Sequence, residues 1–205
     1  MDIQLNFINQ SNDQNNSQII IFQKNVATSF NELAVAWKVI QNIPQGWHHK
    51  LVYPQASYIG VTDSWGNTSP LHSVEHGQRF SVIQHPSGET LQMDGEAANQ
   101  SEIELLNGLQ IGAVHASIYK DGRPALTLTN VVPGQKAVFQ FKPTIWIGVA
   151  SEIQEGQIMN SAILSQINTE ISLLGIASAD IVMTGGGPGP TSTPFQFNLE
   201  NIVMA

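Results

Sequence analysis

The sequence predicts an all-β protein, a single antiparallel β-sandwich of Greek-key, immunoglobulin-like type spanning residues 1–205 as one domain. Two observations carry this expectation. Apolar residues recur at every second position within short segments, and Gly, Pro, Asn and Asp punctuate those segments at turn spacing. Composition agrees: 41% of residues are hydrophobic, only 12% are charged, and 19 Gln plus 16 Asn supply an amide-rich polar surface. Soluble proteins average about 25% charged residues, so this surface is wet but barely charged.

Taken in order, Ile3, Leu5 and Phe7 alternate with Asp2, Gln4 and Asn6, and a polar run over 9–16 precedes Ile19-Ile20-Ile21-Phe22. That pattern predicts an opening hairpin with a long loop. Residues 33–40 follow Ser29-Phe30-Asn31-Glu32, which matches a capping box, yet the alternation of Leu33, Val35, Trp37 and Val39 favours a strand. Further strands are expected over 50–53, 58–62, 79–84, 90–93, 102–106, 112–119, 125–129, 136–141 and 144–149. Turns fall at Pro86-Ser87-Gly88-Glu89, Lys120-Asp121-Gly122-Arg123 and Pro133-Gly134-Gln135. Asp121-Gly122 between alternating segments is the clearest hairpin signal. Met159, Ile163, Ile167 and Ile171 recur every four residues, which predicts one short helix near 160–166 before an extended stretch to Met183. Helix and strand remain alternatives over 29–43 and 159–168. Residues 185–194 are too rich in Gly and Pro for helix or central strand. They read as a loop delivering a last strand at Phe195, Phe197 and Leu199, with Pro194 at its edge-compatible first position.

An internal echo joins Asp63-Ser64-Trp65-Gly66 leading to Gly77-Gln78 with Asp121-Gly122 leading to Gly134-Gln135, at intervals of 14 and 13 residues. Its simplest meaning is two hairpins of one sandwich with similar turn chemistry.

The motifs argue against an enzyme. His72-Ser73-Val74-Glu75-His76 has the H-x-x-E-H form of a zinc peptidase, but two histidines four apart share a metal only on a helix, and Pro70 and Gly77 flank the stretch. His48 and His49, adjacent in a strand, point to opposite faces, and His85 and His115 are scattered. Ala150-Ser151-Glu152 lacks the flanking glycines of a nucleophile elbow. The glycines at 185–189 cannot open a phosphate-binding helix, because Pro188, Pro190 and Pro194 forbid one. No cofactor and no metal are expected. There is no cysteine, hence no disulfide framework and no thiol nucleophile.

Net charge −8 without a basic run excludes nucleic acid as the main partner. The first residues carry no basic and apolar signal pattern. The longest apolar patch, 145–150, falls far short of the ~18 residues of a membrane helix, so a cytoplasmic location is the default, with leaderless release as the alternative.

Two functions are expected. In the first, a non-enzymatic structural protein self-associates through edge strands and loops into a homo-oligomer or filament, using Gly185, Gly186, Gly187, Pro194, Phe195 and Phe197. In the second, a lectin-like or toxin-like module binds a glycan or a membrane surface through Trp47, Trp65, Asp63 and Asn67, because both tryptophans sit beside turn residues. Trp37 and Trp146, inside apolar runs, belong to the core.

Overall fold

The computed structural model describes residues 2–27, 33–167 and 169–205. Strand makes up 56% of the chain and the all-β class holds, but four sheets form rather than a single sandwich. The strands of the N-terminal part are β1 (Ile3–Asn9), β2 (Gln18–Phe22), β3 (Leu33–Ala34), β4 (Lys38–Ile40) and β5 (His48–Tyr53). The middle holds β6 (Ser57–Thr62), β7 (His72–Val74), β8 (Gln78–His85), β9 (Gly88–Glu96), β10 (Ile103–Asn107), β11 (Val114–Lys120), β12 (Arg123–Val131) and β13 (Lys136–Phe139). β14 (Thr144–Ala150), the helix α1 (Ser161–Gln166), β15 (Thr169–Ser172), β16 (Ile176–Gly186) and β17 (Thr193–Met204) complete the chain.

The chain divides into two compact units. Unit 1 comprises Met1–Gln23, Ala34–Gln55 and Pro143–Ala205, and unit 2 comprises Lys24–Leu33 and Ala56–Lys142. Unit 1 holds the sheets β17-β16-β1-β5 and β15-β14-β2-β4; unit 2 holds β13-β10-β8-β9 and β12-β11-β6-β7, with β3 ordered beside β12. The sheets are not all antiparallel. β1 runs parallel to β16, and β10 parallel to β8, at the centre of one sheet in each unit.

Several expectations are corrected by this pairing. β1 and β2 do not form the opening hairpin: β1 pairs with β16 and β5, and β2 with β14 and β4. Burying both faces of the unit requires the chain to cross between sheets, and the polar 10–17 segment makes that crossing. Residues 33–40 form two short strands separated by Val35, Ala36 and Trp37, of which Val35 bridges to Ile158, instead of one long strand. The Ser29-Phe30-Asn31-Glu32 capping box lies outside the described residues. The helix at 160–166 is present as α1, with the Asn160 side chain accepting from the Ile163 N–H at 3.0 Å. Strand also invades the glycine run: β16 continues to Gly186, and a 3₁₀ turn covers Gly189–Thr191. The Asp121-Gly122 hairpin forms as expected, both residues having positive φ (52° and 69°) and β11 pairing antiparallel with β12.

The two units share one topology, permuted. Matching β17, β16, β1 and β5 to β9, β8, β10 and β13, and β15, β14, β2 and β4 to β7, β6, β11 and β12, reproduces every neighbour and every direction. In chain order the same eight-strand series therefore occurs twice. The first four strands of one series assemble with the last four of the other.

Local details repeat as well. Asn9 and Asn107, each the last residue of its strand and buried, donate from Nδ2 to the carbonyls of Ile43 (2.7 Å) and Val131 (2.8 Å). Each accepts at Oδ1 from the N–H two residues on, that of Ser11 or Leu109. Gly46 and Gly134 (φ 81° and 79°) each donate to the carbonyl of that asparagine, and Asn42 and Asn130 precede them at positive φ. Ile59-Gly60-Val61 in β6 matches Ile147-Gly148-Val149 in β14. The echo noted from sequence pairs positions that the topology does not: Gly77 corresponds to Gly175 and Gly134 to Gly46. Neither half of that echo is a hairpin, since β7 to β8 and β12 to β13 both cross between sheets.

The core of unit 2 spans both its sheets, through Ile59 and Val61 of β6, Ile118 of β11, Phe80 and Val82 of β8, Leu105 of β10 and Phe139 of β13. In unit 1, Trp37 is fully buried and meets Tyr53 edge-on at 5.9 Å, while Gln23 donates to the Tyr53 hydroxyl at 2.6 Å. Trp146 is half-buried and stacks on Phe22 at 6.4 Å. No helix among the described residues is long and apolar enough to cross a membrane.

Candidate functional site

One end of unit 2 gathers the loops that follow β6 and β10. β11 starts beside the end of β6, with His115 opposite Thr62, so residues 63–71 and 108–113 leave the same end. Asn107 anchors that end, its Nδ2 donating to the Gly112 carbonyl at 2.9 Å as well as to Val131. The Cβ that Gly112 lacks would stand 3.6 Å from the Ser64 hydroxyl, so the two loops touch.

The Asp63-Ser64-Trp65-Gly66-Asn67 turn is held from within. Asp63 Oδ1 accepts from the N–H groups of Trp65 (2.9 Å) and Asn67 (2.8 Å), and Oδ2 accepts from Asn67 Nδ2 (2.8 Å). This is an Asx turn closed a second time by an asparagine. The Asn67 side chain foremost holds the Asp63 carboxyl below its ordinary value against the opposing effect of burial, and the turn N–H groups add to it. A carboxylate with a depressed pKa keeps its contribution until pH falls below the usual aspartate range, so the turn persists into mildly acidic solution. Gly66 at φ 87° lets the chain double back. With its backbone so engaged, Trp65 projects its indole outward and is 84% exposed; Ile111 on the neighbouring loop is 86% exposed.

Below this turn lies a pocket of ≈ 260 Å³. Val61, Val82 and Leu91, all buried, form its apolar floor, and Asp63, Asn67, Thr68, Ser69, His72, Glu89 and Thr90 are among its polar lining. The volume lies just under the ~300–1,000 Å³ of typical small-ligand sites, which suits a single ring. Ser69 is committed to the wall, its hydroxyl accepting from the Val61 N–H and donating to the Pro70 carbonyl, both at 3.0 Å. The His72 ring rests on Phe80 at 5.9 Å. Glu89 is different: its Oε2 is buried and has no hydrogen-bond partner. A buried acceptor without a donor costs free energy that a ligand hydroxyl would recover.

The predicted residues fall in separate places. Asp63, Trp65 and Asn67 share one turn, and the two polar ones line the pocket. Trp47 belongs to unit 1, 64% exposed at the start of β5, with its carbonyl accepting from the Asn9 N–H at 3.0 Å. Gly185, Gly186 and Gly187 are tightly placed: a Cβ on Gly185 would meet the Pro194 carbonyl oxygen, and one on Gly186 would lie 2.8 Å from the Asn12 carbonyl oxygen. Gly187 donates to that same Asn12 carbonyl. β17 opens at Thr193, so Pro194 is its second residue and Phe195 its third, and Phe197 turns inward onto Phe7 at 6.4 Å. The histidine motif lies partly on β7, where His72 faces the pocket, so its helical metal geometry does not form. Sequence reasoning missed Glu89, because only the β8–β9 pairing carries it to the β6–β7 loop. It missed Ile111, since Leu109 and Ile111 both lie between Gly108 and Gly112 and only the fold buries the first and exposes the second.

No protein-family model, no curated protein and no solved structure matches the chain.

Proposed function

We propose that this is a non-enzymatic recognition protein that binds a saccharide at the loop end of unit 2. The observation that carries the reading is the partnerless Glu89 Oε2 in the wall of a pocket of single-ring size. Sugar rings offer hydroxyl donors for such an acceptor and an apolar face for an indole, and Trp65 stands exposed between two lining residues. A pre-formed turn lowers the ordering cost of binding. Glycan-array binding followed by titration tests this. Glu89→Gln removes the charge from the orphan acceptor and is expected to weaken binding about tenfold, since a hydrogen bond to a charged group contributes about 1.5–3 kcal/mol. Trp65→Ala is expected to weaken it by a similar factor. Unchanged affinity in both variants would discard the site.

A second reading, self-association into a homo-oligomer, is favoured by β17. This 12-residue strand is the edge of its sheet, and its last turn-free stretch exposes Ile202, Val203 and Met204. An open ladder with apolar side chains and one nearby charge, Glu200, is a template for another strand. Light scattering over a wide concentration range should then show growth that Val203→Lys abolishes with the β signal retained. A constant monomeric mass would end this reading.

A further inference from the structure

A second polar cavity opens in unit 1, on the sheet β17-β16-β1-β5, with a volume of ≈ 250 Å³ and a lining that includes Asn6, Lys50, Asp180 and Asn201. The four residues are brought together by register: Lys50 and Asp180 both lie opposite Asn6 on its neighbouring strands. Asn201 arrives by a different device. The β16–β17 register passes from Ser178 opposite Val203 to Asp180 opposite Glu200, which sets Asn201 and Ile202 against Ala179 alone. This is a β-bulge, and Asn201 takes φ 48° within it. A non-glycine residue in the left-handed region is uncommon and is found where surrounding structure enforces it. Here the bulge aims the Asn201 amide at Asp180 Oδ2, to which it donates at 2.7 Å, while Asn6 Nδ2 donates to Oδ1 at 2.9 Å.

Asp180 is thus a carboxylate oriented by two amides, and these bonds, with a smaller contribution from the nearby His48 charge, hold its pKa below the ordinary value against the effect of burial. Asn6 Oδ1 is left over. It is buried and has no donor. In unit 2 the topologically matching residue is Glu104, which is buried and accepts from Lys136 Nζ at 2.8 Å and from the Ala98 N–H at 3.2 Å. There both donors, from within the unit, reach Oε1, while Oε2 is buried without a partner as Asn6 Oδ1 is; in unit 1 the matching residue lines a cavity.

We propose that the groove formed by Asn6, Lys50, Asp180 and Asn201 is a second saccharide site, binding a vicinal diol whose one hydroxyl donates to Asn6 Oδ1. The second hydroxyl accepts from Lys50 and donates to a free lone pair of Asp180. A neutral polyol fits because the lining pairs one cation with one anion. A ligand bearing net charge would meet a like charge at one end. The site lies in unit 1 and the first pocket in unit 2, so each can be followed by its own residues.

The test is a titration of the isotope-labelled full chain with methyl glucoside, methyl galactoside and methyl mannoside, followed by NMR. Saturable shifts of the Asn6 and Asn201 side-chain amides with at least one glycoside are expected. Asp180→Asn should weaken that response about tenfold. Lys50→Ala, at an exposed position that leaves the bulge intact, should weaken it in the same direction. The Trp65 indole resonance reports unit 2 separately, so a silent indole with responding amides would count against the unit 2 site alone. Amides that do not move, or that move equally in wild type and both variants, overturn the groove.

Discussion

Asn9 and Asn107 show how much one side chain can organise. Asn107 closes the end of its strand by joining three backbone groups, and Asn9 by joining two and the Ser11 hydroxyl, so removal of either leaves a buried carbonyl and an N–H without partners. Each buried group so orphaned costs about 1–3 kcal/mol. Asn107→Ala is therefore expected to lower the stability of unit 2 by about 2–4 kcal/mol, and Asn9→Ala to do the same in unit 1. Urea denaturation of both variants checks this; a loss below about 0.5 kcal/mol in either would mean that water replaces the side chain. Single residues were unevenly legible in the sequence. Asp63, Trp65 and Asn67 could be read because an Asx turn is made by neighbours in the chain. Glu89 could not, since its significance lies in what it lacks. The buried asparagines were also invisible as such, for nothing in an Asn-rich sequence distinguishes the two that bridge loops.

At the level of elements, the glycines of β6 and β14 make a sharper comparison. A Cβ on Gly148 would lie 2.8 Å from Ile167 Cγ2 and 3.1 Å from its Cγ1, and Ile167 is β-branched and buried. A Cβ on Gly60 would lie 2.7 Å from Leu71 Cδ2, the far end of an exposed and flexible side chain. Two matched positions thus tolerate the same change differently. Gly148→Ala is expected to cost about 1–3 kcal/mol through overpacking, and Gly60→Ala less than about 1. Adding Ile167→Ala to Gly148→Ala should recover part of the loss, a coupling that a double-mutant cycle measures directly. Equal costs at the two glycines would refute the steric account. Elements closed by local chemistry were legible: the Asp121-Gly122 hairpin and the capped helix at 160–166 follow from adjacent residues. The partner of β1 was not, because β16 lies more than 170 residues away and alternation reveals that a strand exists without revealing what it pairs with.

Across the whole molecule, the repeat is plain in strand order and barely marked in the sequence. A tandem duplication is sought by aligning one stretch with the next, and here the surviving identities are few: an Ile-Gly-Val triplet, two loop asparagines and turn glycines held by backbone conformation. Topology shows a repeat that the side chains barely mark. It also makes a strong mechanical prediction. The first half of the chain, through β9, supplies β1, β2, β4 and β5 to unit 1 and β6 to β9 to unit 2; the second half supplies the other four strands of each. Neither half contains a complete unit of the observed kind. A protease site placed at the exposed 98–100 segment should therefore yield, after complete cleavage, two fragments that co-elute as one particle with the native β signal and separate only in denaturant. Each unit would have to lose its central parallel or antiparallel pairings to release a fragment, since β1–β16 and β2–β14 in unit 1, and β8–β10 and β6–β11 in unit 2, all join opposite halves. The two proposed sites extend the test. The unit 2 pocket is lined by residues of the first half only, whereas the unit 1 groove draws Asn6 and Lys50 from the first half and Asp180 and Asn201 from the second. Fragments that part in native buffer would show that the exchanged halves do not hold the fold together, and the groove would then lose its saccharide response before the pocket does.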